Sequence, residues 1–305
     1  MKSAVKFILT RGAVLYLALF GASLLIVDYK VIRERVIIRT LNHNMPGGFT
    51  HLIRLGEREP NTAADKEMFE QYERYYEKVV QFLPQLADAH GFLGISYYYL
   101  GKEKKAIASL EKAAVLNPYF FWFPYNLGVI YYKKGDHEKA VKYFEMARKK
   151  NPEMAMLIIT KSIEYQRALT GVVNLGEIIL PRLKAGYSEC HRLLILSYLA
   201  LKDYGKAIAL ANEAVSIGLN SQEMFYYYAG VASYHLEDYQ KSIYFLQQAI
   251  EIDPDYAEAY YFLSLNLKAA GKDEMAAQVL AKAVTLQQQG HEKKPKEEEA
   301  YLRAI

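Results

Sequence analysis

The sequence predicts an all-α protein in which a solenoid of two-helix units follows one transmembrane helix. Three observations support this prediction. Side chains of the same size recur with a period of 34 residues over about two thirds of the chain, glycine and proline fall at fixed places in each period, and an uncharged apolar run lies near the amino terminus. The chain has 305 residues, 52% of them hydrophobic, which is enough for a compact or an extended core.

The amino-terminal segment is the predicted anchor, within residues 1–29. Residues 12–27 carry no charge, and residues 7–27 include only Arg11. As a helix, these 21 residues would span about 31 Å, the thickness of a bilayer's hydrocarbon core. A cleaved signal peptide is the alternative, because Lys2 and Lys6 precede the apolar run. A buried helix of a globular protein is a third possibility.

Residues 30–52 follow as a juxtamembrane segment, in which apolar and charged residues alternate before a turn at residues 44–48. Basic residues flank both ends of the apolar run, so the positive-inside rule is nearly balanced. We favour an amino terminus inside the cell. The chain would then be a single-pass protein of the bacterial inner membrane with an extracytoplasmic body.

The positive charge of the chain is concentrated at its amino terminus. Residues 1–42 hold seven basic and two acidic residues, a net +5, so the remaining residues sum to −1 within the chain's +4. A nearly neutral body lacks the basic patch of a nucleic-acid-binding protein. We therefore expect no nucleic-acid partner.

The repeat is visible when windows begin at residues 87, 121, 188, 223 and 257. A small residue occupies the eighth position of most windows and the twentieth position of all, which predicts close approach of the two helices of a unit. Alanine fills the twenty-seventh position throughout, where the next unit would pack. The residues are Gly94, Gly128, Gly230 and Ser264 at the eighth position, Ala106, Ala140, Ala207, Ser242 and Ala276 at the twentieth, and Ala113, Ala147, Ala214, Ala249 and Ala283 at the twenty-seventh.

Glycine and proline mark the helix ends within each window. Gly101, Gly135 and Gly271 stand at the fifteenth position, where the first helix would end in a left-handed residue. Proline at the thirty-second position, as in Pro118 and Pro254, would end the second helix.

These positions together resemble the tetratricopeptide repeat (TPR), a helix-turn-helix unit of 34 residues. The resemblance implies a right-handed superhelical solenoid over residues 53–290, followed by a charged tail at 291–305 that is either disordered or a partial cap. The predicted units are a degenerate one at 53–86, clear ones at 87–120 and 121–154, a divergent pair at 155–187, and clear ones at 188–222, 223–256 and 257–290.

The resemblance also implies a binding groove, because first helices line the concave side of such arrays. Carried onto this chain, the groove positions hold mostly aromatic and aliphatic residues instead of the lysines and asparagines that grip a carboxylate. The candidate partner-binding residues are Tyr98, Tyr99, Trp122, Tyr125, Tyr132, Lys133, Arg192, Tyr227, Tyr234, His235 and Tyr261. Tyr98, Trp122, Tyr125 and Tyr132 would form the centre. Any of these rings could instead pack between neighbouring helices.

Catalytic signatures are not found in the sequence. It contains no phosphate-binding glycine loop, no H-E-x-x-H and no G-x-S-x-G. Cys190 is the only cysteine and lies beside His191, but adjacent side chains on a helix diverge by about 100°. We therefore expect no enzyme activity, no metal and no cofactor.

The function predicted from these patterns is that of a membrane-tethered scaffold or adaptor in an envelope assembly. Its partner would be a protein that offers an apolar or amphipathic segment, such as a peptide or a helix. Two alternatives stay open at this point: a chaperone-like holder of exported clients, and a non-catalytic subunit that recruits substrate to an enzyme. The oligomeric state is open as well.

Overall fold

The computed structural model describes residues 63–149 and 175–289, with only the backbone for residues 175–185. These residues form eleven helices and no strand. The helices are α1 (Ala63–Phe82), α2 (Ala87–Tyr99), α3 (Glu103–Leu116), α4 (Trp122–Lys133), α5 (His137–Arg148), α6 (Leu175–Ala200), α7 (Tyr204–Ser216), α8 (Gln222–His235), α9 (Tyr239–Ile252), α10 (Ala257–Ala269) and α11 (Asp273–Gln288).

The helices pair into five hairpins that stack in chain order, and the predicted all-helical solenoid is confirmed. The hairpins are α2 with α3, α4 with α5, α6 with α7, α8 with α9, and α10 with α11, and each second helix packs against the first helix of the next hairpin. Helix α1 packs on α2 in the same way, in the place of a preceding second helix.

Small residues bring the two helices of a hairpin together, as the repeat predicts. A Cβ atom added to Gly94 would lie 2.7 Å from Leu110 Cγ, and one added to Gly128 would lie 2.5 Å from the Phe144 ring. The alanines at the twentieth position are 7% exposed or less, and those at the twenty-seventh 2% or less. A larger side chain at Gly94 or Gly128 would collide with the second helix of its hairpin.

Each first helix ends in the same backbone turn. Gly101, Gly135 and Gly271 have φ of 72°, 73° and 72°, as predicted for the fifteenth position. The hydrogen bonds are also the same: the amide of Gly135 donates to the carbonyl of Tyr132 (2.9 Å), and the amide of Asp136 donates to that of Tyr131 (3.0 Å). This is the pattern of a Schellman motif.

Tyrosine hydroxyls tie several hairpins together by donating hydrogen bonds to carboxylates. Tyr97 donates to Glu77 (2.7 Å), Tyr143 to Glu111 (2.6 Å) and Tyr198 to Glu145 (3.1 Å). Burial, together with the neighbouring carboxylate, raises the pKa of each of these phenols well above its ordinary value. The hydroxyls therefore stay protonated and serve as donors.

The hairpin α6–α7 stacks directly on α4–α5, although 26 residues separate α5 from α6. The guanidinium of Arg148 on α5 donates to Glu213 on α7 (2.7 Å) as well as to Glu145 (3.0 Å). Most of the predicted divergent pair lies in residues 150–174, outside the described part of the chain, and the rest of it forms the first half of α6. Its bounds stay a prediction.

The predicted localisation needs correction. No helix within residues 63–149 and 175–289 is long and apolar enough to cross a membrane. The two longest, α1 and α6, are interrupted by charged residues such as Asp65 and Lys66 in α1 and Glu189 and Arg192 in α6. The prediction of a single-pass inner-membrane protein is contradicted by this finding and is withdrawn. The predicted span itself, residues 7–27, lies outside the described residues.

Candidate protein-binding face

The first helices α2, α4, α6, α8 and α10 form the candidate binding surface, which we call the concave face. Among the first helices, α4 contacts α6, α6 contacts α8, and α8 contacts α10. Within the described part of the chain, no two successive second helices contact each other as extensively. A stack whose first helices lie closer together than its second helices curves toward the first helices. Whether this face forms the groove expected from the sequence stays a prediction.

Three of the eleven candidate residues are buried in the packing of the helices. Trp122 is 5% exposed, and Tyr125 and Tyr227 are 1% exposed. Trp122 packs edge-to-face on Tyr125 at 5.4 Å between ring centroids, and a Cβ added to Gly186 of α6 would lie 2.3 Å from the indole ring. Tyr227 packs against Phe262 at 5.7 Å. These rings hold neighbouring first helices together.

The position within the repeat explains this burial. Tyr125 and Tyr227 stand at the fifth position, in the middle of contacts between successive first helices, and Val129 and Val231 at the ninth are buried with them. The twelfth and thirteenth positions lie at the carboxyl-terminal ends of these helices. Tyr98, Tyr132 and Tyr234 at the twelfth position keep part of their surface exposed, whereas Leu199 at the same position of α6 is buried.

The other eight candidate residues keep part of their surface exposed. They are Tyr98, Tyr99, Tyr132, Lys133, Arg192, Tyr234, His235 and Tyr261. Tyrosine therefore recurs at the twelfth position of α2, α4 and α8 as a half-buried ring. Arg192 is paired with Glu189 through its Nη2 and Nε atoms at 2.6 and 2.7 Å, so it adds a charge that is already partly neutralised.

One aromatic cluster lies on α2 and α4. Tyr98 and Tyr99 meet edge-to-face with centroids 5.5 Å apart, and Lys133 Nζ lies 5.9 Å from the centroid of the Tyr98 ring. Tyr99 also stacks on Phe69 of α1 at 4.4 Å. The cluster offers flat apolar surface beside one exposed ammonium group, an arrangement that suits a segment with apolar side chains and an occasional carboxylate.

A second cluster lies on α8 and α10. Tyr234 and Tyr261 both approach Phe262, with centroids 6.1 and 5.7 Å from it. His235 stacks on Tyr204 at 5.1 Å, and burial, with a contribution from Lys202, lowers the pKa of its imidazole. The histidine thus belongs to the apolar wall of this cluster when it is neutral.

The described residues were also searched for a metal site and a reactive thiol. No group of three or more His, Cys, Asp or Glu side chains there could hold a metal ion. Cys190 is buried and its Sγ faces the carbonyl of Phe144 at 3.7 Å, while burial raises the pKa of its thiol far above the ordinary value. A thiol of this kind is unreactive. The expectations of no enzyme activity and no cofactor stay predictions.

Comparison with known families supports the identity of the repeat. Profiles described as "Tetratricopeptide repeat" match residues 125–154, 224–256 and 257–289, and a profile described as "TPR repeat" matches residues 94–135. The chain contains tetratricopeptide repeats. The matched TPR segments fall within the stack from α2 to α11.

Solved structures share the TPR fold at low sequence identity. A double mutant of MamA RS-1 is 17% identical in sequence to this chain, with a TM-score of 0.51. The superposition covers 67% of this chain and 96% of the MamA chain. YrrB, titled a TPR protein with an unusual peptide-binding site, is 17% identical with a TM-score of 0.51, covering 70% of this chain and 92% of its own. At this identity the likeness concerns the fold alone. No curated protein sequence matches the chain significantly.

Proposed function

We propose that the chain is a protein-binding scaffold that holds an apolar or amphipathic segment of a partner on its concave face. The observation that carries the proposal is the row of half-buried tyrosines at the twelfth position, Tyr98, Tyr132 and Tyr234. Tyrosine gives a large contact area and a polar tip for the loss of only two side-chain torsions. Rings of this kind are frequent among the residues that dominate binding energy.

The character of the partner follows from what surrounds the row. The two aromatic clusters lie at separate places on the face, with Arg192 and its partner Glu189 on α6 between α4 and α8. An elongated segment with apolar side chains at both ends would contact both clusters. A helix or an extended peptide fits this description, and a single small molecule does not. The peptide-binding title of YrrB concerns a protein of the same fold.

The proposal can be tested by selecting peptides from a random library on the full chain and measuring their affinities. Tyr98→Ala and Tyr132→Ala should each weaken the selected peptides about tenfold, as expected for residues central to an interface. Tyr244→Ala is the matched control, since this tyrosine is 55% exposed on the second helix α9. It should change affinity less than twofold.

The opposite pattern would contradict the proposal. If Tyr244→Ala lowered the affinity for the peptides while Tyr98→Ala and Tyr132→Ala left it unchanged, the second helices would be the binding surface. Circular dichroism of each variant, with a helical signal equal to that of the original chain, separates loss of binding from loss of folding. Recovery of no peptide above the background of an empty surface would also count against it.

A further inference from the structure

The second helices present one exposed row of side chains each, away from the first helices. The row consists of the nineteenth, twenty-second, twenty-sixth and twenty-ninth positions of the repeat, whose spacings of three and four residues place them on one face of a helix. We call residues 71, 74, 78 and 81 of α1, together with their equivalents 34 and 68 places later on α3 and α5, the outer stripe. All of these residues are exposed.

The charge of the outer stripe has one sign. It contains seven basic residues and no acidic residue: Arg74 and Lys78 on α1, Lys105 and Lys112 on α3, and Lys139, Lys142 and Lys149 on α5. The same positions on α7, α9 and α11 hold three lysines and two glutamates, Glu213 and Glu251. The excess of positive charge is therefore confined to the first half of the stack, and the repeat itself does not require it.

The acidic residues that follow the stripe along the same helices are engaged elsewhere. Glu77, Glu111 and Glu145, at the twenty-fifth position, accept hydrogen bonds from tyrosines of the next hairpin. Their carboxylates thus belong to the junctions between hairpins. Within the stripe, Lys139 pairs with Asp136 at 2.8 Å, so its charge is partly neutralised.

Tyrosine rings restrain lysines of the stripe. The Nζ atom of Lys105 lies 5.0 Å from the centroid of the Tyr97 ring, and that of Lys142 lies 5.3 Å from the centroid of the Tyr143 ring. An ammonium group within about 6 Å of an aromatic ring is attracted to its face. A lysine held in this way loses less conformational freedom when it binds an anion.

We propose that the outer stripe binds an acidic segment of a protein partner, at a surface separate from the concave face. Carboxylates of the segment pair with the lysines, and its apolar side chains cover Val115 and Met146, which are 76% and 38% exposed within the stripe. No residue of a first helix takes part. The inference is therefore independent of the function proposed for the concave face.

Other polyanions fit the stripe less well than an acidic peptide. Residues 63–149 contain thirteen basic and eleven acidic residues, a net +2, which is too small to attract a nucleic acid strongly. A phosphate backbone also has no apolar side chain to cover Val115 and Met146. An anionic lipid surface laid over the second helices would meet Glu213 and Glu251 at the equivalent positions of α7 and α9.

Binding of a defined acidic peptide to the full chain tests the proposal. The probe is a fluorescent peptide of twelve residues in which pairs of glutamates alternate with single leucines, and its affinity is measured by fluorescence anisotropy. Lys112→Gln combined with Lys142→Gln should lower the affinity about tenfold, because two favourable charge contacts are lost. The affinity of the original chain should also fall as the salt concentration rises from about 50 to about 300 mM.

Lys241→Gln combined with Lys282→Gln is the matched control. Both residues are exposed lysines at stripe positions, but they lie on α9 and α11. This variant loses the same net charge and should change the affinity by about twofold at most. Tyr98→Ala, on the concave face, should leave the affinity for this peptide unchanged.

Four results would overturn the proposal. Equal losses in the two double variants would show general charge attraction and not binding at the stripe. A loss of affinity in Tyr98→Ala would place the peptide on the concave face. Tighter binding of a thymidine oligonucleotide or of phosphatidylserine vesicles than of the peptide would assign the stripe to a nucleic acid or a membrane. Absence of measurable peptide binding at low salt would remove the stripe as a binding surface for acidic segments.

Discussion

Two residues with side chains take the left-handed backbone conformation that glycine takes in three other hairpins. Lys202 and Glu237 have φ of 58° and 59° at the fifteenth position, where Gly101, Gly135 and Gly271 have φ near 72°. Their amides make the same hydrogen bonds as the glycine amides: Glu237 donates to Tyr234 at 2.9 Å. The turn is therefore imposed by the repeat, and the side chain is strained there.

Glu237→Gly should relieve this strain and raise the free energy of unfolding by about 1 kcal/mol. The side chain of Glu237 is exposed, so little packing is lost. Urea unfolding measures the change. Gly135→Ala is the reciprocal control and should lower the free energy of unfolding by a similar amount, and an unchanged Glu237→Gly would show that the turn is unstrained.

His191 is a buried histidine at the junction of α4–α5 with α6–α7. It is 1% exposed, and its Nδ1 donates to the carbonyl of Tyr187 at 2.8 Å. Within the described residues its Nε2 has no hydrogen-bond partner. Burial lowers the pKa of the imidazole. The folded chain therefore favours neutral His191, and the unfolded chain binds the proton more readily.

Stability should accordingly depend on pH through this group. Its contribution is fully present above the unfolded-state pKa of about 6.5, and it is lost as the pH falls below that value toward the lowered folded-state pKa. We expect His191→Gln to lose less stability than the original chain between pH 7.5 and pH 5.5, measured by urea unfolding at each pH. Parallel losses in the two proteins would show that His191 does not control this change.

At the scale of the helices, Gly128 leaves the least room for a side chain among the glycines at the eighth position of the hairpins. Gly128→Ala places a Cβ 2.5 Å from the Phe144 ring, which is fully buried and cannot move aside. We expect a loss of about 1–3 kcal/mol in the free energy of unfolding. Gly205→Ala in α7 is the control, because its Cβ would meet nothing within 4 Å. It should be neutral or stabilise the helix by about 0.5 kcal/mol.

Phe144→Leu should relieve Gly128→Ala only slightly, because at the equivalent contact a Cβ added to Gly94 would still lie 2.7 Å from Leu110 Cγ. Thermal unfolding of the single and double variants gives the coupling between the two positions. If the two losses simply add, the ring is not what excludes the extra methyl group.

At the scale of the whole molecule, the extensive helix contacts within residues 63–149 and 175–289 join each hairpin to its neighbours in the stack. Stability in such arrays is a sum over units and their junctions, and local opening is possible. Arg148→Ala removes the ion pair with Glu213 that links α5 to α7, together with the pair to Glu145 within α5, so it should increase amide hydrogen exchange in α5, α6 and α7. Exchange in α10 should stay unchanged, and a uniform increase through all helices would show that the stack unfolds as one unit.

The hairpins could be predicted from the sequence, because the contacts between their two helices depend on the size of residues at fixed spacings. A steric requirement explains each of three such residues: close packing against Leu110 explains Gly94, full burial explains Ala113, and a positive φ explains Gly101. The recurrence of small residues and glycine at these positions makes each requirement recognisable in the sequence. The direct packing of α5 on α6 could not be predicted in this way. It depends on residues far apart in the chain, such as Glu145 and Tyr198, and no local pattern fixes such a distance.

The candidate site was predicted less well than the fold. The spacing identified which residues face the first-helix side, but it could not tell Tyr98, which stays half-buried, from Tyr125, which is enclosed. That difference depends on how closely successive first helices approach each other. The available signal in the sequence was Phe121, one helical turn before Tyr125, whose ring stacks on the Tyr125 ring at 5.5 Å in the structure.

The alanines at the junctions between hairpins have a mechanical consequence. Each junction contains a buried alanine, 2% exposed or less, so the two helices that meet there approach closely. Large rings pack across the same joints, as Tyr227 does against Phe262 at 5.7 Å. Neighbouring hairpins therefore hold a fixed spacing, and a segment that binds both tyrosine clusters has to match the distance between them.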